Sequence, residues 1–167
     1  LATEWLASHD DSTPLHLQLH YVPPHAPYTP LPQYDRFTDP EYGGPVDGSI
    51  EVMKAFDAQA LMPTAEDIEH MLALYDGNLL EGDAAVGQVL DALRRRPRWR
   101  DTVVLVTSDH GEAFLEHGRT DHNSTLYDEM LHVPLVVHPA TLAAGLAPEA
   151  PATRHFIELT ARGKATL

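Results

Sequence analysis

The sequence contains no cysteine in 167 residues. Disulfides, thiolate zinc sites and thiol nucleophiles are therefore excluded from this chain. No apolar run approaches the roughly 20 residues that a membrane span needs, so no membrane segment is expected here. Basic side chains are scarce, with 11 against 25 acidic ones and a formal charge of -14. A phosphate backbone demands a basic footprint, which argues against nucleic acid as a partner. The acidic balance by itself serves solubility. No signal-peptide pattern is visible and the first residue is Leu1, not Met; the chain reads as a piece of something longer. What is present is globular in character: 43% hydrophobic and 22% charged residues, enough for one domain with a real core.

Along the chain, Ala2 to His9 reads as the end of a helix, and Leu15 to His20 alternates strictly, as a strand does. Tyr21 to Pro63 is irregular and punctuated by Pro23, Pro24, Pro27, Pro30, Pro32, Pro40 and Pro45, with room for one short helix over Ile50 to Leu61. Loops of this length are functional or disordered. Thr64 to Arg96 carries the clearest helical signal. Ile68, Leu72, Tyr75, Leu79, Val86, Leu90 and Leu93 recur at helical spacing. Thr64 and Asp67 resemble a capping box, acids crowd the start and arginines the end, and Pro97 stops the helix. Gly77, Gly82 and Gly87 predict close packing against a sheet, or a kink.

The chain is organised around Thr102 to Pro139. The run Val103-Val104-Leu105-Val106 has strand length and β-branched character. Apolar on both faces, it predicts a strand covered on both sides in a parallel sheet. A second strand is expected over Val133 to Val137, and a short helix or turn over Asn123 to Glu129. Strand, long helix, strand and strand give an α/β order with a mostly parallel sheet flanked by helices. Ligands in such sheets bind beyond the carboxyl ends of the strands, where Asp109 and His110 stand.

Asp109-His110 pairs a hard oxygen donor with an imidazole just before Gly111, which permits a tight turn. Such a pair suits a divalent cation. From spacing alone, a helix cap beside a surface histidine is the commoner explanation of such a pair. His117, His122 and the proline-framed His25 add imidazoles that could converge on an oxyanion and move a proton near neutral pH. His9, His16, His20, His70, His132, His138 and His155 read as ordinary surface or strand residues.

Four blocks then carry a resemblance. LHYVPPHAPYTPLPQYDRF, LYDGNLLEGDAAVGQVLDALR, VVLVTSDHGEAFLEHG and HNSTLYDEMLHVPLVV resemble, in the right order, segments of the sulfatase family of the alkaline phosphatase superfamily. The resemblance spans Leu15 to Val137. It implies residues 1–139 as a C-terminal portion of that α/β catalytic domain, with its N-terminal part absent, and 140–167 as a divergent or truncated tail.

It further implies that Asp109 and His110 are metal ligands, that His25 and His122 touch the sulfate or phosphate group and the leaving oxygen, and that His117 belongs to the same loop. The cofactor would be a divalent metal ion: Ca if the chemistry is sulfate, Mn, Mg or Zn if phosphate. The substrate would be a small anionic ester, and the resemblance leans toward a periplasmic or extracellular setting. Thr107 and Ser108 do not match the family's nucleophile, which lies upstream. His122 stands where many true sulfatases have Lys, so a phosphoester hydrolase or phosphoglycerol-type transferase is the neighbouring expectation. A non-catalytic fragment is the expectation from a different class. The isolated chain is expected to be inactive. Oligomeric state leaves no signal.

Overall fold

The computed structural model describes residues 2–122, 125–138, 158–159 and 165–166. In chain order they form helices α1 (Ala2–Ser8), α2 (Ile50–Asp57) and α3 (Ala65–Arg94), a 3-10 turn (Pro97–Asp101), strands β1 (Leu105–Thr107), β2 (Ala113–Phe114) and β3 (Thr120–Asp121), helix α4 (Asp128–Leu131), and strands β4 (Leu135–Val137), β5 (Glu158–Leu159) and β6 (Ala165–Thr166). The strands pair as β1–β4, β2–β3 and β5–β6. The chain divides into two compact units, one of 1–20, 84–108 and 134–167, the other of 21–83 and 109–133.

The α3 start shows why the helix begins where it does. The Thr64 N–H donates to Asp67 Oδ2 at 2.8 Å, and the Asp67 N–H donates to Thr64 Oγ1 at 3.1 Å. The short Asp side chain thus closes a reciprocal box that usually employs Glu or Gln. Asp67 also accepts from the Tyr42 hydroxyl at 2.6 Å, tying the helix start to the proline-rich loop. The seven apolar positions at helical spacing are all half-buried. The deepest face lies beside them, at Asp67, Met71, Leu74 and Asn78. Its two polar members have partners: Asn78 Nδ2 donates to the Pro27 carbonyl at 3.2 Å. Gly77 faces that same loop and not a sheet, since a Cβ there would stand 2.7 Å from Pro30 Cγ. A Cβ at Gly87 would meet nothing within 4 Å.

The second unit's core gathers Tyr28, Val46, Met53, Phe56, Met71 and Leu74, with Tyr75 and Phe114 packed against it. Helix α2 begins with Ser49, whose side chain accepts from the Val52 N–H, an ordinary N-cap. Its end is tied to β3: Asp57 Oδ1 accepts from the Thr120 N–H at 2.7 Å. In the first unit, Arg96 donates to the Leu6 carbonyl, to the His9 carbonyl and to Asp11, so the α3 end holds the α1 turn around buried Leu6.

The sheet differs from the sequence expectation. β1 and β4 are antiparallel, with Thr107 opposite Leu135 and Leu105 opposite Val137. The chain leaves and re-enters the ribbon at one end, whereas a parallel neighbour requires a crossover that carries it back to the other end. Among the described residues every sheet is antiparallel. The ribbon's apolar side chains are also open, with Leu105, Val106, Leu135 and Val136 exposed, so the cover expected on both faces is not seen. Leu15 to His20 forms no strand: its alternation finds no partner backbone among the described residues, and alternation without pairing does not make a sheet. Of the stretch Asn123 to Glu129 only Asp128 and Glu129 enter a helix, and 123–124 lie outside the described residues, as does His155.

Replacing Asp67 with Ala removes the cap and the acceptor of Tyr42, and should cost about 1–2 kcal/mol, read as a lower urea midpoint. The Asp67 carboxyl is held below its ordinary 3.8, first by the Tyr42 hydrogen bond and then by the Thr64 backbone. Its contribution is therefore complete above that value and disappears as pH falls through the lower folded pKa. The gap between wild type and Asp67→Ala should be constant near neutrality and close only below about pH 4.

Candidate active site

β2 and β3 pair Ala113 with Asp121 and Phe114 with Thr120, which folds the segment 109–122 back on itself. Leu115 and Gly118 make the hairpin's tight end: the Leu115 N–H donates to the Arg119 carbonyl and the Gly118 N–H to the Leu115 carbonyl. This hairpin brings His122 beside His110, their rings stacked with centroids 3.9 Å apart. His25, from the proline-rich loop, meets His122 edge-on at 5.1 Å. Asp109 Oδ1 lies 3.7 Å from His110 Nε2. Four of the residues singled out from sequence thus share one place: His25, Asp109, His110 and His122. The fifth, His117, stacks on Tyr127 at 3.6 Å and bonds through Nδ1 to Glu129 Oε1 at 2.7 Å.

Three carboxylates that sequence reasoning passed over complete the arrangement. Glu112 Oε1 stands 3.2 Å and Asp121 Oδ1 2.8 Å from His122 Nδ1. The donor atoms of Glu112, Asp121 and His122 lie within 4.8 Å of one another, close enough to hold a cation as well. Glu129 is the third. Burial is the largest single influence and raises its pKa, but the His117 hydrogen bond, a main-chain hydrogen bond and the His117 charge together hold it below the ordinary 4.5. Glu112 and Glu129 were visible in the sequence as the acids of Asp-His-Gly-Glu and Tyr-Asp-Glu. Nothing in their spacing says which histidine each would meet.

Gly111 matters for close approach, not for an unusual turn. Its N–H donates to the Met130 carbonyl at 2.8 Å, and a Cβ would stand 1.9 Å from the Glu129 carbonyl oxygen. The bare glycine lets the Asp109-His110 turn lie directly against α4, which carries Glu129.

The sulfatase family model matches residues 1–159. The chain is a member of the sulfatase family. It is 35% identical over 83 residues to arylsulfatase K of Bos taurus, covering 50% of this chain and 15% of that protein. It is 35% identical over 107 residues to arylsulfatase K of Danio rerio, covering 64% and 19%. It is 28% identical over 128 residues to an endo-4-O-sulfatase of Bacteroides thetaiotaomicron, covering 77% and 24%. The chain therefore spans less than a quarter of the length of each of these relatives. No solved structure matches it. Family membership carries an alkaline phosphatase-like α/β fold and a divalent metal ion.

Gly111→Ala should destabilise the protein by about 1–3 kcal/mol, because the clash is with backbone that cannot rotate away. Gly43→Ala, with nothing within 4 Å of the new methyl, should change stability by less than about 0.5 kcal/mol. Thermal unfolding of the two variants measures the difference.

Proposed function

We propose that the protein carrying this sulfatase-family chain is a metal-dependent hydrolase of sulfate esters. Asp109 and His110 would be ligands of the metal. His25 and His122 would contact the ester's anionic group and leaving oxygen, and His117 would act at the edge of the same site. The observation that carries this reading is the convergence of His25 and His110 on the His122 ring, at 5.1 and 3.9 Å. The names of the relatives support sulfate as the leaving group's partner.

The donor set fits a divalent ion. Asp109 offers a hard oxygen and His110 an imidazole nitrogen 3.7 Å away, a separation that one cation can bridge. When bound, the ion supplies Lewis-acid polarisation of the ester and charge compensation. The sulfate reading favours Ca. The chain's own residues do the rest. A doubly protonated imidazole would present its second N–H to the ester oxygens and give that proton to the departing alkoxide. Thr107 and Ser108 are not assigned as nucleophile.

A second reading, phosphoester hydrolysis or phosphoglycerol-type transfer with Mn, Mg or Zn, is favoured by His122 at a position that is Lys in many true sulfatases. Turnover of an aryl sulfate against the matching aryl phosphate, by the gene product that contains these residues, separates the two. The sulfate reading expects metal-dependent turnover of the sulfate to dominate, with His122→Ala lowering kcat by about 10²–10⁴-fold. Dominant phosphate turnover would overturn it. Calorimetry on the 167-residue chain should find weak metal binding that is lost in Asp109→Ala, because two protein ligands do not close a site.

A further inference from the structure

The four site histidines share one feature that their positions do not require: each has Nδ1 placed on an oxygen. His25 Nδ1 lies 2.7 Å from the Ala26 carbonyl, and His110 Nδ1 lies 2.7 Å from the Gly111 carbonyl. His117 Nδ1 lies 2.7 Å from Glu129 Oε1. His122 Nδ1 lies 3.2 Å from Glu112 Oε1 and 2.8 Å from Asp121 Oδ1. A peptide carbonyl and an ionised carboxylate can only accept. The proton of each neutral ring must therefore sit on Nδ1, and the lone pair must sit on Nε2. Hydrogen bonding at one ring nitrogen decides which nitrogen does chemistry at the other.

The geometry points to Glu129, and Glu112 acting with Asp121, as positioning residues that lock His117 and His122 in the Nδ1–H tautomer and so present Nε2 as the working nitrogen. His25 and His110 receive the same lock from the main chain, one from the carbonyl of each following residue. The two kinds of lock differ in vulnerability. A carbonyl of the next residue is held by the chain itself, whereas a carboxylate can be removed by one substitution. Burial reinforces the lock at His122, where the ring is 15% and the Glu112 side chain 7% exposed, so water competes poorly there; at His117 the ring is 47% exposed while Glu129 is 13% exposed, so that lock rests on the 2.7 Å bond itself. The Tyr28 hydroxyl, buried without a hydrogen-bond partner, lies near enough to the same Glu112 carboxylate for its charge to raise the phenol's pKa. The purpose of the lock rests on the hydrolase reading; its existence does not.

The test is tautomer assignment by long-range proton–nitrogen NMR on the 167-residue chain with labelled histidine. The sample is metal-free and at about pH 8, above the ordinary imidazole pKa of about 6.5. Wild type should show protonated Nδ1 and lone-pair Nε2 for His25, His110, His117 and His122. Glu129→Ala should move His117 toward the Nε2–H form that free imidazole prefers, leaving the other three unchanged. Glu129→Gln should restore the Nδ1–H form, because its amide oxygen still accepts. Glu112→Ala combined with Asp121→Gly should release His122 in the same way; glycine suits the φ of +71° at position 121. Where the double variant fails to fold, Glu129→Ala decides. Nε2–H at His117 or His122 in wild type, or an unmoved His117 in Glu129→Ala, would overturn the assignment. So would Zn²⁺ displacing the Nδ1 proton of His122, which would make Glu112, Asp121 and His122 a cation site. No substrate enters these measurements, so predicted tautomers without ester turnover would sink only the hydrolase reading.

Discussion

Burial of one aromatic ring, Tyr28, holds the candidate site together. Tyr28 is 0% exposed, and its N–H donates to the Gly48 carbonyl at 2.8 Å. Its ring meets Tyr75 at 5.4 Å and Phe114 at 6.0 Å. Residue 48 must be bare for this: its φ is +78°, and a Cβ would stand 2.0 Å from the Tyr28 carbonyl oxygen. A fully buried aromatic side chain contributes about 3 kcal/mol through apolar burial, and here the location matters as much as the amount. His25 precedes Tyr28 by three positions, and Glu112 precedes Phe114 by two. One packed ring thus fixes the register of two loops that sequence separates widely. Burial, reinforced by the Glu112 charge, raises the Tyr28 pKa, and the same causes push Tyr75 up to about 12. Both phenols stay neutral and enclose the Glu112 carboxylate.

The helices were legible because their signals are local. The Thr64–Asp67 box needs four residues, and the periodicity of α3 needs only its own length, so both could be read without knowing what they touch. The sheet was not legible. Period-two alternation at Leu15, Leu17 and Leu19 says which face is apolar but not whether a partner backbone lies alongside, and among the described residues none does. The direction of β4 against β1 depends on where the intervening chain turns back, which neither strand's own residues encode. The buried face of α3 was misplaced for a related reason. Asp67 and Asn78 look like solvent residues until the loop that supplies Tyr42 and Pro27 is folded over them.

At the site, the histidines were legible and their partners were not. His25 and His122 are 97 positions apart, and only the four-block resemblance put them together in advance. Glu112, Asp121 and Glu129 looked like ordinary members of an acidic chain. Their significance comes from a 2.7–3.2 Å relation to ring nitrogens, which depends on rotamers and on Gly111 admitting α4. Composition hides such residues most effectively in a chain of this charge, since 25 acids leave no single one conspicuous.

That charge also constrains what the site can bind. Asp109, Glu112, Asp121 and Glu129 crowd the imidazoles, and an anionic ester brought among them would be repelled. Two like charges 4 Å apart interact by about 4 kcal/mol at an effective dielectric near 20, enough to lower affinity a thousandfold. Glu112, Asp121 and Glu129 accept from imidazole Nδ1–H groups, which turns repulsive carboxylates into supports for the rings. Asp109 places its Oδ1 3.7 Å from His110 Nε2, on a side chain that is 68% exposed. A carboxylate so placed beside an imidazole lone pair favours a cation over an anion. On the proposed hydrolase reading, positive charge held at Asp109 and His110 would have to offset these carboxylates before the carboxylate-anchored imidazoles could act on an ester.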